Sequence, residues 1–169
     1  MSILRIPAFR RQRDSLRSMV EPRLEILAVT PDDRLYSSLL YVATQHGWVT
    51  RWTKSVDGAI RILKSGTDAI LLYDWYSASQ SWQDVTRRLF EADSACCIVL
   101  AAPHVDEDLW EQAVVSRVYD VVPRTGPAGH MAATLRFAWQ HKVRRLTAER
   151  TPDALKLRSR ASDVRLFAL

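Results

Sequence analysis

From residue 24 onward, hydrophobic positions along the chain fall into two alternating kinds of stretch. Short runs of consecutive apolar residues, many of them branched, are typical of strands buried on both faces of a sheet. Such runs predict five strands, at 24–30, 48–53, 69–73, 95–102 and 118–122. The second run is more polar than the others and therefore indicates a strand at the edge of the sheet.

Between these runs, apolar residues recur every three or four positions, which is the pattern of a helix with one apolar side. The spacing predicts five helices, at 31–46, 55–66, 81–92, 106–116 and 128–146. Pro31 suits a first helical turn, and Gly47 suits the left-handed position that ends a helix. We expect Leu40 on the apolar side of the first helix, and Trp110 and Val114 on that of the fourth. Two other tryptophans of the predicted helices, Trp82 and Trp139, are also expected in the core.

Five strands alternating with five helices predict the α/β class, with a parallel sheet covered by helices on both faces. Functional groups in such folds lie beyond the carboxyl ends of the strands. The strand-end residues to consider are Thr30, Pro31, Asp32, Tyr73, Asp74, Ala101, Ala102, Pro123 and Arg124.

The composition is that of a folded soluble domain, with 47% hydrophobic and 25% charged residues in a chain of 169. The only two cysteines, Cys96 and Cys97, are adjacent, so they form no disulfide framework and are expected in the core. No apolar run is long enough to span a membrane or to act as a secretory signal. We therefore expect a cytoplasmic protein of bacterial type that does not contact a membrane.

Charge divides the chain into three parts. A basic N-terminal arm at 1–23 has a net charge of +4, the body at 24–142 has −3, and a basic C-terminal extension at 143–169 has +4. Arginine-rich arms attract phosphate backbones or acidic partners. The alternative is that they are solvated tails that keep the protein soluble.

Several short motifs occur in order within 24–142. The stretch 30–49 ends in His-Gly-Trp, 57–60 reads Asp-Gly-Ala-Ile, 109–110 is Leu-Trp, and 119–122 is Tyr-Asp-Val-Val. In this order and spacing, the body resembles the receiver domain of bacterial two-component response regulators, and in particular a small atypical member. The resemblance implies a flavodoxin-like sheet with strand order 2-1-3-4-5 and a role in phosphorelay signal transduction.

The resemblance also implies a reaction pocket. In that family, two acids after the first strand hold Mg²⁺, and an Asp ending the third strand accepts a phosphoryl group. A Thr or Ser after the fourth strand and a Lys after the fifth hold the phosphoryl oxygens. The matching positions here hold Thr30 and Pro31 for the acids, with Asp32 one step later, then Tyr73 or Asp74, Ala101 and Arg124.

Asp74 is the preferred phosphoacceptor equivalent, because it is the only carboxylate at the end of the third strand. The alternative is an ordinary strand-end carboxylate that accepts hydrogen bonds from loop amides. With Thr30 and Pro31 in the acid positions, Asp32 and Asp74 are weak candidates for a metal, so we expect no cofactor and at best weak Mg²⁺ binding. An ion pair between Asp74 and Arg124 is expected to close the pocket.

The first functional hypothesis is a stand-alone signalling module, not an enzyme, with impaired or absent phosphoacceptor chemistry. It would act through contact with a histidine kinase or an output protein. Receivers commonly pair through the fourth helix, fifth strand and fifth helix, which predicts a homodimer through residues on that face: Trp110, Gln112, Arg117, Tyr119 and Arg136. A second hypothesis is a nucleic-acid-associated regulator that binds through its basic arms. A third is an active phosphoacceptor with unusual ligands.

Overall fold

A computed structural model describes residues 23–76 and 80–150, with side chains described up to residue 148. Strands and helices alternate throughout. In chain order they are β1 (Glu25–Val29), α1 (Asp33–His46), β2 (Val49–Thr53), α2 (Val56–Lys64), β3 (Ile70–Asp74), α3 (Trp82–Ala92), β4 (Cys97–Ala102), α4 (Glu107–Val115), β5 (Asp120–Pro123) and α5 (Ala128–Arg150).

The five strands form one parallel sheet in the order β2-β1-β3-β4-β5. This confirms the predicted fold class, the strand order and the edge position of the second strand. Registers that pair Val29 with Tyr73 and Asp74 with Ala101 align the strand ends. The carboxyl ends of all five strands therefore meet at one end of the sheet, and the amino ends meet at the other.

Two apolar layers hold the helices against the sheet, because successive side chains of a strand point to opposite faces. On one face, strand residues such as Ile26 and Leu72 pack with α1 and α5. On the other face, residues such as Leu27 and Leu71 pack with α2, α3 and α4. Both faces of the sheet are thus covered, which explains why the strand sequences are apolar without alternation.

Side chains and a glycine determine where several helices begin and end. Asp32, Ser55 and Asp106 precede α1, α2 and α4, and each accepts a hydrogen bond from a backbone amide of the first turn. Gly47 follows α1 with a φ of +67°, a conformation that glycine adopts without strain. A Cβ atom on Gly58 would lie 2.1 Å from the hydroxyl of Thr53, so α2 can approach the end of β2 only with glycine there.

The predicted core positions are wrong at three residues. Trp110 is 53% exposed, Val114 is 54% exposed and Leu40 is 44% exposed. The nine-residue helix α4 buries only Leu109 and Ala113, which are four positions apart on a narrow stripe. Its neighbouring apolar residues therefore lie beside the sheet contact and not in it, whereas Trp82 is buried as predicted.

Strand β3 extends one residue beyond its predicted end, through Asp74. Helix α5 continues to Arg150, so residues 143–150 of the C-terminal extension belong to it. Residues 1–22 of the basic N-terminal arm and 151–169 of the extension lie outside the described residues. Among the helices that the structure describes, none combines the length and the apolar character that a membrane span requires.

Candidate functional site

Polar residues from three strands converge at the carboxyl end of the sheet. Thr30 follows β1, Asp74 ends β3, and Arg124 follows β5. Backbone hydrogen bonds position two of them, because Thr30 donates to the carbonyl of Thr53 and Arg124 donates to that of Ala102. Asp74 and Thr30 are 3% and 2% exposed, so their polar atoms lie largely outside the reach of solvent.

Arg124 binds both carboxylates of this cluster. Its Nε donates to Oδ1 of Asp74 at 2.5 Å, and its Nη2 donates to Oδ2 of the same residue at 3.1 Å. The same Nη2 also donates to Oδ2 of Asp32 at 2.9 Å. The guanidinium thus forms a two-pronged pair with a buried carboxylate and bridges to a second one, an arrangement that favours arginine over lysine. The ion pair expected between Asp74 and Arg124 is present.

The hydroxyl of Thr30 completes the hydrogen bonding of Asp74. It donates to Oδ2 of Asp74 at 2.6 Å and accepts from the backbone N–H of Asp32 at 2.9 Å. Each oxygen of the Asp74 carboxylate therefore has a donor from a side chain, and Oδ2 has two. Within the described residues, no buried side-chain nitrogen or oxygen lacks a hydrogen-bond partner.

Tyr76 covers the guanidinium on its outer side. The Arg124 Cζ atom lies 4.7 Å from the centre of the Tyr76 ring, a distance typical of a cation–π contact. The backbone N–H of Tyr76 donates to the carbonyl of Asp74, which holds the loop after β3 close to the site. Arg124 is thus enclosed between two carboxylates and an aromatic ring, and its side chain is 15% exposed.

These contacts favour the charged forms of two residues of the cluster, because they raise the pKa of Arg124 and lower that of Asp32. Hydrogen bonding to Asp74 raises the pKa of Arg124. The pKa of Asp32 lies below its ordinary value, mainly because its carboxylate accepts the backbone N–H of Arg34. The backbone N–H of Leu35 and then the charge of Arg124 lower this pKa further. Burial, together with the nearby charge of Asp74, raises the pKa of Tyr73.

The other sequence-predicted residues lie around this cluster without entering it. Tyr73 packs in the apolar layer with α2–α4, and Pro31 is exposed. Ala101 is completely buried and pairs in register with Asp74, so a methyl group lies at the position where the resemblance to receiver domains implies a hydroxyl. His104, considered as a possible pocket residue, is exposed.

Cys96 and Cys97 lie in the core, at the other end of the sheet. Burial raises the pKa of Cys96 to about 12 and that of Cys97 to about 11. Thiols with such values remain protonated at neutral pH, so neither is a nucleophile in the folded protein.

The donor set does not fit a magnesium ion. Mg²⁺ takes oxygen ligands in an octahedral shell and relies on one or two carboxylates with free lone pairs. Here both carboxylates, Asp32 and Asp74, already accept hydrogen bonds from a guanidinium whose positive charge occupies the same space. Across residues 23–76 and 80–150, no three His, Cys, Asp or Glu side chains group in a way that could hold a metal.

Two features of the site were not predicted from the sequence. The contact between Tyr76 and Arg124 depends on the path of a loop, for which no local pattern exists. Thr30 was considered only as a missing acid, although a hydroxyl directly after a buried strand could have indicated a hydrogen-bond donor to a neighbouring strand end.

Comparisons with known proteins give the fold alone. No family model and no curated protein matches the chain. Among solved structures, a receiver domain of an HD-domain protein from Pseudomonas fluorescens Pf-5 is similar, with a TM-score of 0.65 and 16% identity over 78% of this chain and 96% of the other. A response regulator receiver domain from Clostridium thermocellum is also similar, with a TM-score of 0.61 and 14% identity over 70% of this chain and 96% of the other.

A third similar structure is the solution structure of a beryllofluoride-activated NtrC4 receiver domain dimer. Its TM-score is 0.63, with 14% identity over 70% of this chain and 98% of the other. The described chain therefore has the receiver-domain fold, as the sequence motifs predicted.

Proposed function

We propose that this protein is a signalling module that acts by protein contact and does not accept a phosphoryl group. The observation that carries the proposal is the contact of Arg124 with Asp74 and Asp32. A guanidinium in this position supplies, within the chain, the positive charge that a receiver pocket otherwise obtains from a metal and a lysine. The chain itself thus supplies one positive charge to the two carboxylates of the pocket.

Phosphoryl transfer to Asp74 would require an accessible oxygen lone pair and positive charge to attract the phosphoryl anion. Both oxygens of Asp74 accept hydrogen bonds, and its side chain is 0% exposed. The incoming phosphoryl group would have to displace Arg124 and Thr30 before it could react. It would then find the buried methyl group of Ala101 in place of a hydroxyl donor.

The direct test is to incubate the full chain with acetyl phosphate and Mg²⁺ and to measure its intact mass. We expect no mass increase, and no protection of the thermal transition by beryllofluoride with Mg²⁺. Asp74→Asn is the matched control, since it removes the acceptor with little change in volume. A phosphoryl adduct on the parent chain that is lost in Asp74→Asn would overturn the proposal and favour an active phosphoacceptor.

The contact surface that we propose lies at the edge formed by α4, β5 and α5, here called the α4–α5 edge. Trp110, Val114 and Phe137 are 53%, 54% and 60% exposed, which is unusual for large apolar side chains. Phe137 lies one turn before His141, whose ring is 5.3 Å from that of Tyr119 at β5, so both residues are on the β5 side of α5.

A second copy of the chain fits this edge. Acidic residues of α4, Glu107, Asp108 and Glu111, are exposed, and so is Arg136 of α5. Arg117, which was predicted on this face, lies instead over the ring of Phe90 of α3 at 5.0 Å, so it does not contribute to the edge. In a two-fold symmetric dimer, the acidic part of one copy can meet the basic part of the other around the apolar centre. The similar receiver structure that is a dimer supports the proposal.

Sedimentation velocity at tens of micromolar tests the dimer. We expect a dimer for the parent chain and for Tyr41→Glu, a control that places the same charge at an exposed aromatic residue of α1. Trp110→Glu should give a monomer, because it places a charge at the apolar centre. A parent chain that sediments as a monomer, or a Trp110→Glu variant that remains dimeric, would contradict the dimer through this edge.

A further inference from the structure

A groove, here called the α1–α5 groove, runs between α1 and the start of α5. Its volume is about 750 Å³, within the range of about 300–1,000 Å³ that small-molecule sites occupy. Four buried residues contribute to its lining: Leu35 and Val42 from α1, Val122 from β5 and Met131 from α5. Leu35, Val122 and Met131 belong to the apolar layer that holds both helices on the sheet. The fold itself therefore forms the groove.

The polar side chains of the α1–α5 groove have hydrogen-bonding capacity that the chain does not use. Tyr41, Thr125 and His130 line the groove and are exposed. Among the residues whose side chains the structure describes, none hydrogen-bonds to the hydroxyls of Tyr41 and Thr125 or to the imidazole of His130. An apolar lining with a few polar groups that remain available is the usual composition of a small-molecule site.

The charges that line the groove favour an anion. Two arginines, Arg34 and Arg124, face a single carboxylate, Asp32, which gives the lining a net charge of +1 with histidine neutral. Both oxygens of Asp32 already accept hydrogen bonds, one from the backbone N–H of Arg34 and one from the guanidinium of Arg124. The next carboxylate, Asp33, pairs with Lys54 at 3.1 Å. Within the described part of the chain, the exposed Arg34 guanidinium therefore has no ion-pair partner.

The spacing of Arg34 and Tyr41 indicates the shape of a ligand. The two residues are seven positions apart on α1, which is about two helical turns or about 10 Å along the helix axis. Ser37 and Ser38 line the groove between them, and their hydroxyls donate to backbone carbonyls, so their oxygens can still accept hydrogen bonds. A ligand that contacts both ends needs an anionic group for the guanidinium and a planar ring that can stack on tyrosine.

We propose that the α1–α5 groove binds a small anionic ligand that carries a planar ring. The guanidinium of Arg34 binds the anionic group, and the ring of Tyr41 stacks on that of the ligand. Nucleoside phosphates and aromatic carboxylic acids share this chemistry, and the experiment below distinguishes them.

The proposal does not depend on the closed pocket or on the dimer. Asp74 does not line the α1–α5 groove, and neither do Trp110, Val114 and Phe137 of the α4–α5 edge. A phosphoryl adduct on Asp74 or a monomeric parent chain would therefore not bear on ligand binding here. Conversely, a groove that binds no ligand would leave the predictions for Asp74 and for the edge unchanged.

The test is a ¹H–¹⁵N NMR titration of the full chain with two anionic probes, adenosine monophosphate and 2-naphthoate. Their neutral counterparts, adenosine and 2-naphthamide, are the controls. We expect at least one anionic probe to bind with a dissociation constant of about 1 mM or tighter. It should shift amide signals both within 34–42 and within 125–131, because the two segments line the groove.

The four probes separate the contributions of the anion and the rest of the ligand. The neutral counterpart of a bound probe should bind about tenfold more weakly or less, because it loses a hydrogen bond between charged groups. Binding of adenosine monophosphate alone would identify nucleoside phosphates as the ligand class. Binding of 2-naphthoate alone would identify aromatic carboxylic acids, and binding of both would show that the ring and the anion suffice.

Two pairs of matched variants locate the site. Arg34→Gln should weaken binding about tenfold, whereas Arg61→Gln removes an exposed arginine from α2, on the other face of the sheet, and should leave binding unchanged. Ser38→Trp places a large side chain in the groove and should abolish binding. Gln45→Trp alters an exposed residue of α1 that does not line the groove, so this variant should bind normally. All four residues are exposed, so the variants should retain the fold.

Four results would overturn the proposal. The first is no binding of either anionic probe at about 10 mM, ten times the expected dissociation constant. The second is equal binding of an anionic probe and its neutral counterpart. The third is equal weakening by Arg34→Gln and Arg61→Gln, which would indicate attraction by net charge alone. The fourth is undiminished binding to Ser38→Trp, which would place the ligand elsewhere on the protein.

Discussion

The carboxyl end of the sheet and the α4–α5 edge differ in how far their side chains find contacts within the chain. At the carboxyl end, each charged group of the cluster has a partner inside the chain, and the central carboxylate has no exposed surface. At the edge, Trp110, Val114 and Phe137 present apolar surface to solvent. The Asp74 carboxylate is therefore enclosed, whereas the α4–α5 edge presents apolar surface that a partner could cover.

This difference explains why we assign a contact function and no phosphoryl chemistry. A site that reacts must keep a group whose interactions are completed only by its substrate. A surface that binds must keep area that is buried only in the complex. The described residues meet the second condition at the edge but do not meet the first at Asp74.

The largest expected effect on stability comes from Arg124→Ala. It would leave the buried Asp74 carboxylate without its main counter-charge, and breaking a buried ion pair from one side costs about 3–5 kcal/mol of the free energy of unfolding. Urea denaturation measures this directly. Arg51→Ala is the control, because it removes an arginine from a half-exposed pair with Glu25, at a cost of about 0–1 kcal/mol. Equal losses of free energy of unfolding in the two variants would show that the Arg124 pair contributes no more to stability than a half-exposed pair.

A smaller effect is expected from Thr30→Val, which keeps the shape of the side chain but removes the hydroxyl. Asp74 loses the hydrogen bond from this hydroxyl, and the backbone N–H of Asp32 loses its acceptor. The free energy of unfolding should therefore fall by about 1–3 kcal/mol. Thr30→Ser retains the hydroxyl and should be closer to the parent chain. Equal destabilisation of Thr30→Ser and Thr30→Val would show that the hydrogen bonds of the Thr30 hydroxyl do not contribute to stability.

Acid should weaken the cluster over a defined pH range. The pKa of Asp32 is lowered from 3.8 on folding, so its carboxylate stabilises the folded state above pH 3.8. This contribution disappears as the pH falls through the lowered value. The difference in stability between the parent chain and Asp32→Asn should thus be present at pH 7 and shrink below pH 3.8. A difference that stays constant between pH 7 and pH 2.5 would contradict the charge contact.

The smallest effect on stability is expected at the α4–α5 edge. Trp110→Ser removes a side chain that is half exposed and lies outside both apolar layers, so the free energy of unfolding should change by about 0.5 kcal/mol or less when measured on monomer. Leu109→Ala, one residue away but buried, should cost about 2–5 kcal/mol. A large loss in Trp110→Ser at low protein concentration would mean that this residue belongs to the core.

The sequence predicted the layers of the fold well because each strand is a continuous apolar run and each helix has a separate apolar period. It placed Trp110 and Val114 in the core, where they do not lie, because the spacing of apolar residues defines the buried side of a helix only to within one residue. Asp74 was identified through its charge at a strand end, although the apolar run alone would have ended β3 at Tyr73. The stacking of Tyr76 on Arg124 was not predictable, since it joins two loops that are distant in sequence.

The most direct test of the central claim observes the Nε–H group of Arg124 by ¹⁵N NMR. A guanidinium held by Asp74 and enclosed by Tyr76 should give a slowly exchanging Nε–H signal that is absent in Arg124→Lys. We expect this signal to keep its position when Mg²⁺ and beryllofluoride are added in excess. Its loss or displacement on that addition would show that the pocket opens to admit the phosphoryl mimic, and that Arg124 does not replace the metal.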